Sequence, residues 1–152
     1  MKIKIGIPRG FLYYRDYILF KNFFEGIGCT VLLSAPSNRS IIEDGKKLAV
    51  DESCLPFKIY LGHVKYLENK CDYMLVPRIC NYGKKKRVCM RFNGIYDVVH
   101  NLFPTIKIIN YNIDYLKFRF EFTEFLLMGL KFNKNIFRVI YSYFIGKKKQ
   151  RK

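Results

Sequence analysis

An α/β fold is what this sequence predicts, and three observations predict it. Short β-type runs alternate with stretches of helical periodicity along most of the 152 residues. Pro8, Pro36 and Pro77 each follow such a run, where a residue without an N–H ends a strand. Half of the residues are hydrophobic and 17% are aromatic, enough for a packed core and too many for a disordered chain. Strands that alternate with helices pair in parallel through right-handed crossovers. The expected architecture is therefore a three-layer, Rossmann-like or flavodoxin-like sheet of about four parallel strands in the order 2-1-3-4, followed by C-terminal helices.

Each element has its own signal. Lys2–Ile7 is strand-like and stops at Pro8. Leu12–Ile27 carries Phe20, Phe23, Phe24 and Ile27 at helical spacing, and Gly28 stops it. Thr30–Ser34 is a short buried-type strand. Asn38 or Ser40 caps a helix running to about Lys47. Leu55–Asn69 places Phe57, Tyr60, Leu61, Val64 and Leu67 on one face. Asp72–Val76 is the third strand, ended by Pro77. Phe92–Leu102 is helical, Ile106–Ile109 is the fourth strand, and aromatic-rich helices over Tyr115–Leu130 and Asn133–Ile145 finish the chain. The expected organisation is an α/β domain over 1–112, a helical extension over 113–146 and a basic disordered tail over 147–152.

Lys and Arg number 28 against 12 Asp and Glu, a formal charge of +16 that points to anionic partners such as nucleic acid, a phosphate-bearing ligand or an acidic membrane. A general compositional bias toward Lys, Ile, Asn, Tyr and Phe explains the same charge. Lys2, Lys4, Arg9, Arg15 and Asp16 interrupt any signal-peptide core, and no run has the ~18–20 apolar residues of a spanning helix. A cytoplasmic protein is expected. Its five cysteines are then thiols or metal ligands rather than a disulfide framework.

In a parallel sheet all strand carboxyl ends share one edge, where ligands bind. Ile7-Pro8-Arg9-Gly10, Ala35-Pro36-Ser37-Asn38 and Val76-Pro77-Arg78-Ile79-Cys80 should share that rim. Cys54, just before a helix with Pro56 in its first turn, would feel the positive helix end that favours the thiolate. A buried, inert cysteine is the alternative. Cys80 leaves the third strand on the same rim, and Cys89 returns after a basic excursion. Three thiolates there suit an iron–sulfur cluster with one open site, although the spacing is neither a zinc knuckle nor a ferredoxin run. Cys29 and Cys71 read as core residues. Lys84, Lys85, Lys86, Arg87 and Arg91 form a cationic patch suited to phosphates or RNA backbone, or simply a solvated loop. No P-loop or dinucleotide fingerprint is present, and neither His63 nor His100 has a partner at catalytic spacing. Ile136, Ile140, Tyr143 and Phe144, followed by the basic tail, read as an amphipathic cationic helix for a membrane, its own domain or a partner.

Several of these segments together resemble one family. They are Ile5-Gly6-Ile7-Pro8-Arg9-Gly10 with Leu12-Tyr13-Tyr14-Arg15, Leu48-Ala49-Val50-Asp51-Glu52-Ser53-Cys54-Leu55-Pro56-Phe57-Lys58, Gly62-His63-Val64, Pro77-Arg78-Ile79 and Cys89-Met90-Arg91-Phe92. From about residue 3 to residue 98 the chain is similar to the N-terminal domain of acyl-CoA dehydratase activase-related proteins, within the wider 2-hydroxyacyl-CoA dehydratase (iron–sulfur) superfamily. The resemblance implies a cysteine-ligated [4Fe–4S] or larger cluster at the strand carboxyl ends and a place in anaerobic metabolism. In that superfamily an ATP-driven activase passes one electron to the cluster, which reduces an acyl-CoA thioester so that dehydration follows; other members reduce small molecules. Cys54 and Cys89 match family cysteines and are the implied metal ligands. Cys80 stands where an aliphatic residue is expected and is a third candidate.

Two departures matter: the family's second α/β domain is not in this sequence, and Met90 replaces the usual proline after the second cysteine. Dehydration by this chain alone is not expected. The expected function is an iron–sulfur electron-transfer or accessory domain, with Arg9 and Arg78 near the cluster. Its partners would be a second dehydratase-like subunit or an ATP-dependent activase. The alternatives are a non-redox basic module that binds nucleic acid or another anion, or a degenerate remnant of the family.

Overall fold

The computed structural model describes residues 2–81 and 88–151. β1 (Lys4–Ile7), β2 (Thr30–Leu33), β3 (Tyr73–Asn81) and β4 (Ile108–Asp114) form one parallel sheet in the order β2-β1-β3-β4. Between and after them lie α1 (Tyr13–Gly26), α2 (Arg39–Leu48), α3 (Leu55–Leu67), α4 (Met90–Leu102), α5 (Glu121–Phe132) and α6 (Ile136–Gln150). The fold is α/β and Rossmann-like, with helices on both faces of the sheet.

Alternation along β3 shows how one strand feeds two cores. Leu75 and Ile79 pack with Leu19, Phe20, Phe23 and Phe24 of α1, Phe125 of α5 and Val139 of α6. Met74 and Val76 pack on the other face with Phe57, Leu61 and Val64 of α3 and Ile95 and Val99 of α4. This two-residue period buries both faces, as the central strand of a parallel sheet requires. Burying side chains of this size removes roughly 1.5–3 kcal/mol each from water, so both faces drive folding.

Four boundaries differ from the sequence expectation, for physical reasons. β3 does not stop at Pro77 but runs on to Asn81. Its pairing with β1 ends at Met74, while Pro77 pairs with Tyr111 of β4, so the missing N–H falls where one side of the strand is already unpaired. β4 is longer than Ile106–Ile109 because polar Asn110 and Asn112 alternate with buried Ile109, Tyr111 and Ile113. The expected tail is helical as far as Gln150, because Lys147 pairs with Glu121, Lys149 donates to Asn22 and Gln150 donates to buried Asp16. The aromatic helix expected from Tyr115 begins at Glu121, after a single 3-10 turn over Tyr115–Lys117. Among the described residues no helix is long and apolar enough to cross a membrane.

Candidate functional site

The carboxyl ends of the strands build one rim. The Arg9 backbone N–H donates to Ser34 Oγ at 3.0 Å and its side-chain Nε–H to the Ser34 carbonyl at 2.7 Å, tying the end of β1 to the end of β2. Pro8 and Pro77 line one small cleft with Tyr60. The prolines after β1 and in β3 therefore do meet at one edge.

α3 and α4 run against the strands, so both start at this rim, and each starts on a cysteine. Cys54 is the N-cap of α3 and Cys89 the N-cap of α4; both are exposed, and neither forms a side-chain cap hydrogen bond. The third-residue N–H of each helix donates instead to the cap's own carbonyl, Phe57 to Cys54 at 3.1 Å and Phe92 to Cys89 at 3.0 Å, and Pro56 has no N–H to offer, so both thiols are left outside the capping bonds. α4 begins at Met90, earlier than the expected Phe92, and that extension is what makes Cys89 a cap.

The first turns of the two helices are joined by aromatic packing. The Arg91 guanidinium lies 5.2 Å from the centre of the Phe57 ring. The Phe11 ring sits 4.5 Å from Phe92 of α4, 4.9 Å from Tyr60 and 6.5 Å from Phe57 of α3. Phe11 holds a φ of 50°, a left-handed conformation that costs a non-glycine residue on the order of 1 kcal/mol or more. The wedge between two helices holds it there.

Cys80 faces α4 but stands apart. It is half-buried at a register shift between Ile79 and Asn81, a β-bulge, and its thiol donates to Asn93 Oδ1 at 3.1 Å. Arg78 Nε donates to the same oxygen at 3.1 Å, and Arg78 lies 3.7 Å from Asp97. Arg9 is held at the β1–β2 end and Arg78 on α4, so they border the rim from two sides rather than forming one clamp. The described residues include no group of three His, Cys, Asp or Glu side chains arranged to hold a metal ion. The basic run Lys84–Arg87 lies outside the described residues. Cys29 is buried and Cys71 half-buried beneath the starts of β2 and β3, and burial pushes both thiols up.

One polar pair escaped the sequence. His63 is fully buried in α3, and its Nε2 lies 2.9 Å from Ser37 Oγ in the β2–α2 loop. Burial, and then the Arg9 charge, push His63 down to about 4, so it is neutral at neutral pH. Its Nδ1 has no hydrogen-bond partner among the described residues. Gly62 beside it lets α2 approach: a Cβ there would lie 1.9 Å from the Ile41 carbonyl oxygen, and one on Gly45 would lie 1.9 Å from that of Lys58. Gly62-His63 is thus a docking element that sets α3 against α2. The signal was the glycine beside the histidine, but the partner, 26 positions away, is legible only in the fold.

No curated protein and no solved structure gives a match to the chain. A family model does, and its match extends well past the segments that carried the resemblance, through α5 and α6. The chain therefore belongs to the family described as the CoA enzyme activase uncharacterised domain, whose model spans residues 4–152.

Proposed function

We propose that this chain is an electron-carrying accessory domain of a CoA-enzyme system related to the 2-hydroxyacyl-CoA dehydratases. It contributes Cys54 and Cys89 as thiolates to a [4Fe–4S] cluster. The observation that carries the reading is the pair of exposed cysteine caps on two helices whose first turns touch through Arg91, Phe57 and Phe11. Soft thiolates are the ligands such clusters take, and the positive ends of the α3 and α4 dipoles suit the negative charge on cluster and sulfide. When bound, the cluster supplies transfer of one electron at a time.

The chain's own residues set the surroundings. Arg9 and Arg78 border the rim and offset negative charge there, and Phe11 and Phe57 keep water from the inner side. Cys80, already donating to Asn93, is the third candidate ligand; the remaining ligands come from a partner, either a second dehydratase-like subunit or an ATP-dependent activase. The chain is half of a site and does not dehydrate a substrate alone.

The test is iron and acid-labile sulfide content after oxygen-free purification and reconstitution. A brown protein with thiolate-to-iron absorption is expected. The colour should be lost in Cys54→Ala and in Cys89→Ala and kept in Cys29→Ala. A colourless wild-type protein, or colour that survives both rim substitutions, contradicts the proposal.

A further inference from the structure

A groove of about 370 Å³ runs beside the rim, with neither Cys54 nor Cys89 among its lining residues. Phe57 and Leu61 of α3, Val98 and Leu102 of α4, and the Leu48–Val50 segment form its walls. Three polar residues, Ser53, Arg91 and Asn101, interrupt this apolar surface. Ser53 lines the groove, is 7% exposed, and its hydroxyl has no hydrogen-bond partner among the described residues. Arg91 is the one cation among the lining residues, none of which is acidic. Its guanidinium rests over Phe57, and no ion pair joins it to a carboxylate among the described residues.

From Arg91 to Leu102 the lining follows α4 for eleven residues, about 16 Å at the α-helical rise. A charge at one end and a mainly apolar trough of that length, with Asn101 the one polar side chain beside Leu102, suit an extended amphipath with one anionic head. The volume lies within the range of small-molecule sites, which pair apolar walls with a few placed polar groups. We propose that this groove binds an aliphatic monocarboxylate, its carboxylate on Arg91 and its chain along Val98 toward Leu102. The guanidinium donates two parallel N–H bonds to a carboxylate.

The site needs no cluster, so it stands or falls apart from the proposed function. The probe is octanoate, titrated into the full chain carrying ¹³C-labelled methyl groups, with 1-octanol as the uncharged control. Saturable shifts confined to Leu61, Val98 and Leu102 are expected. Arg91→Gln should weaken octanoate about tenfold and leave 1-octanol unchanged, with Arg91→Lys between the two. Absence of saturable shifts overturns the proposal. So does equal binding of octanoate and 1-octanol, an unaffected Arg91→Gln, or shifts scattered over the whole surface. Shifts at the same methyls that track protein concentration without octanoate would show a second copy covering the groove, which also overturns it.

Discussion

α3 and α4 both begin on an exposed cysteine at the same edge of the sheet, yet they are held in different ways. α3 is clamped. α2 presses its Ile41 carbonyl against Gly62, and buried His63 is tied to Ser37. α4 packs chiefly on β3, and around Gly94 in its second turn a Cβ would meet nothing within 4 Å. The difference teaches how one edge can carry two thiols on unlike supports: one on a helix wedged against a neighbouring helix, the other on a helix that buries Ile95 and Val99 on the sheet while its second turn faces open space at Gly94.

The largest expected effect breaks the clamp. Alanine normally favours a helix over glycine by about 1 kcal/mol. At Gly62 the added Cβ meets a backbone oxygen that no rotamer can move, so Gly62→Ala should destabilise the fold by about 3 kcal/mol or prevent it. Urea unfolding reads this directly, and a neutral or stabilising result would dissolve the clamp.

Acid should loosen α3 more gently. His63 binds its proton in the folded state only near pH 4, against 6.5 in the unfolded chain. The unfolded state therefore takes up more protons as pH falls through this window, and stability falls with it, by up to about 1.4 kcal/mol per pH unit. Stability gained by the neutral imidazole is complete above pH 6.5 and lost as pH approaches 4. His63→Gln, which keeps a hydrogen-bonding group for Ser37, should flatten the profile between those values; an unchanged profile would assign the acid sensitivity elsewhere.

The smallest effect sharpens the contrast. Gly94→Ala in α4 should stabilise the protein by about 0.5–1 kcal/mol, the ordinary helix propensity gain, because the space is open. A loss of stability there would mean that α4 is as confined as α3.

Much of the fold was legible because it depends on local chemistry. Gly28, at a φ of 100°, ends α1, and Asn38 caps α2 by accepting from Ile41 N–H. What stayed hidden depended on neighbours far along the chain. Pro77 ends a strand unless one side of it is already unpaired. Asn110 and Asn112 broke the hydrophobic pattern of β4, which continues on the face that meets α1 and α5. In the site, Cys54 before Pro56 was readable as a cap. The position of Cys89 depended on where α4 starts, and the bond between Ser37 and His63 on how α2 crosses α3.

The central claim is that Cys54 and Cys89 serve one cluster while the cysteines beneath the sheet serve the core. Differential alkylation of the native chain, before and after oxygen-free loading with iron and sulfide, tests this most directly. In the unloaded chain Cys54 and Cys89 should react on the order of 100-fold faster than Cys29 and Cys71, which open only through local unfolding. On loading, Cys54 and Cys89 should lose their reactivity together, in proportion to the iron bound, while Cys29 and Cys71 stay as they were. Protection of one rim thiol without the other, or of neither at full iron content, would contradict the account.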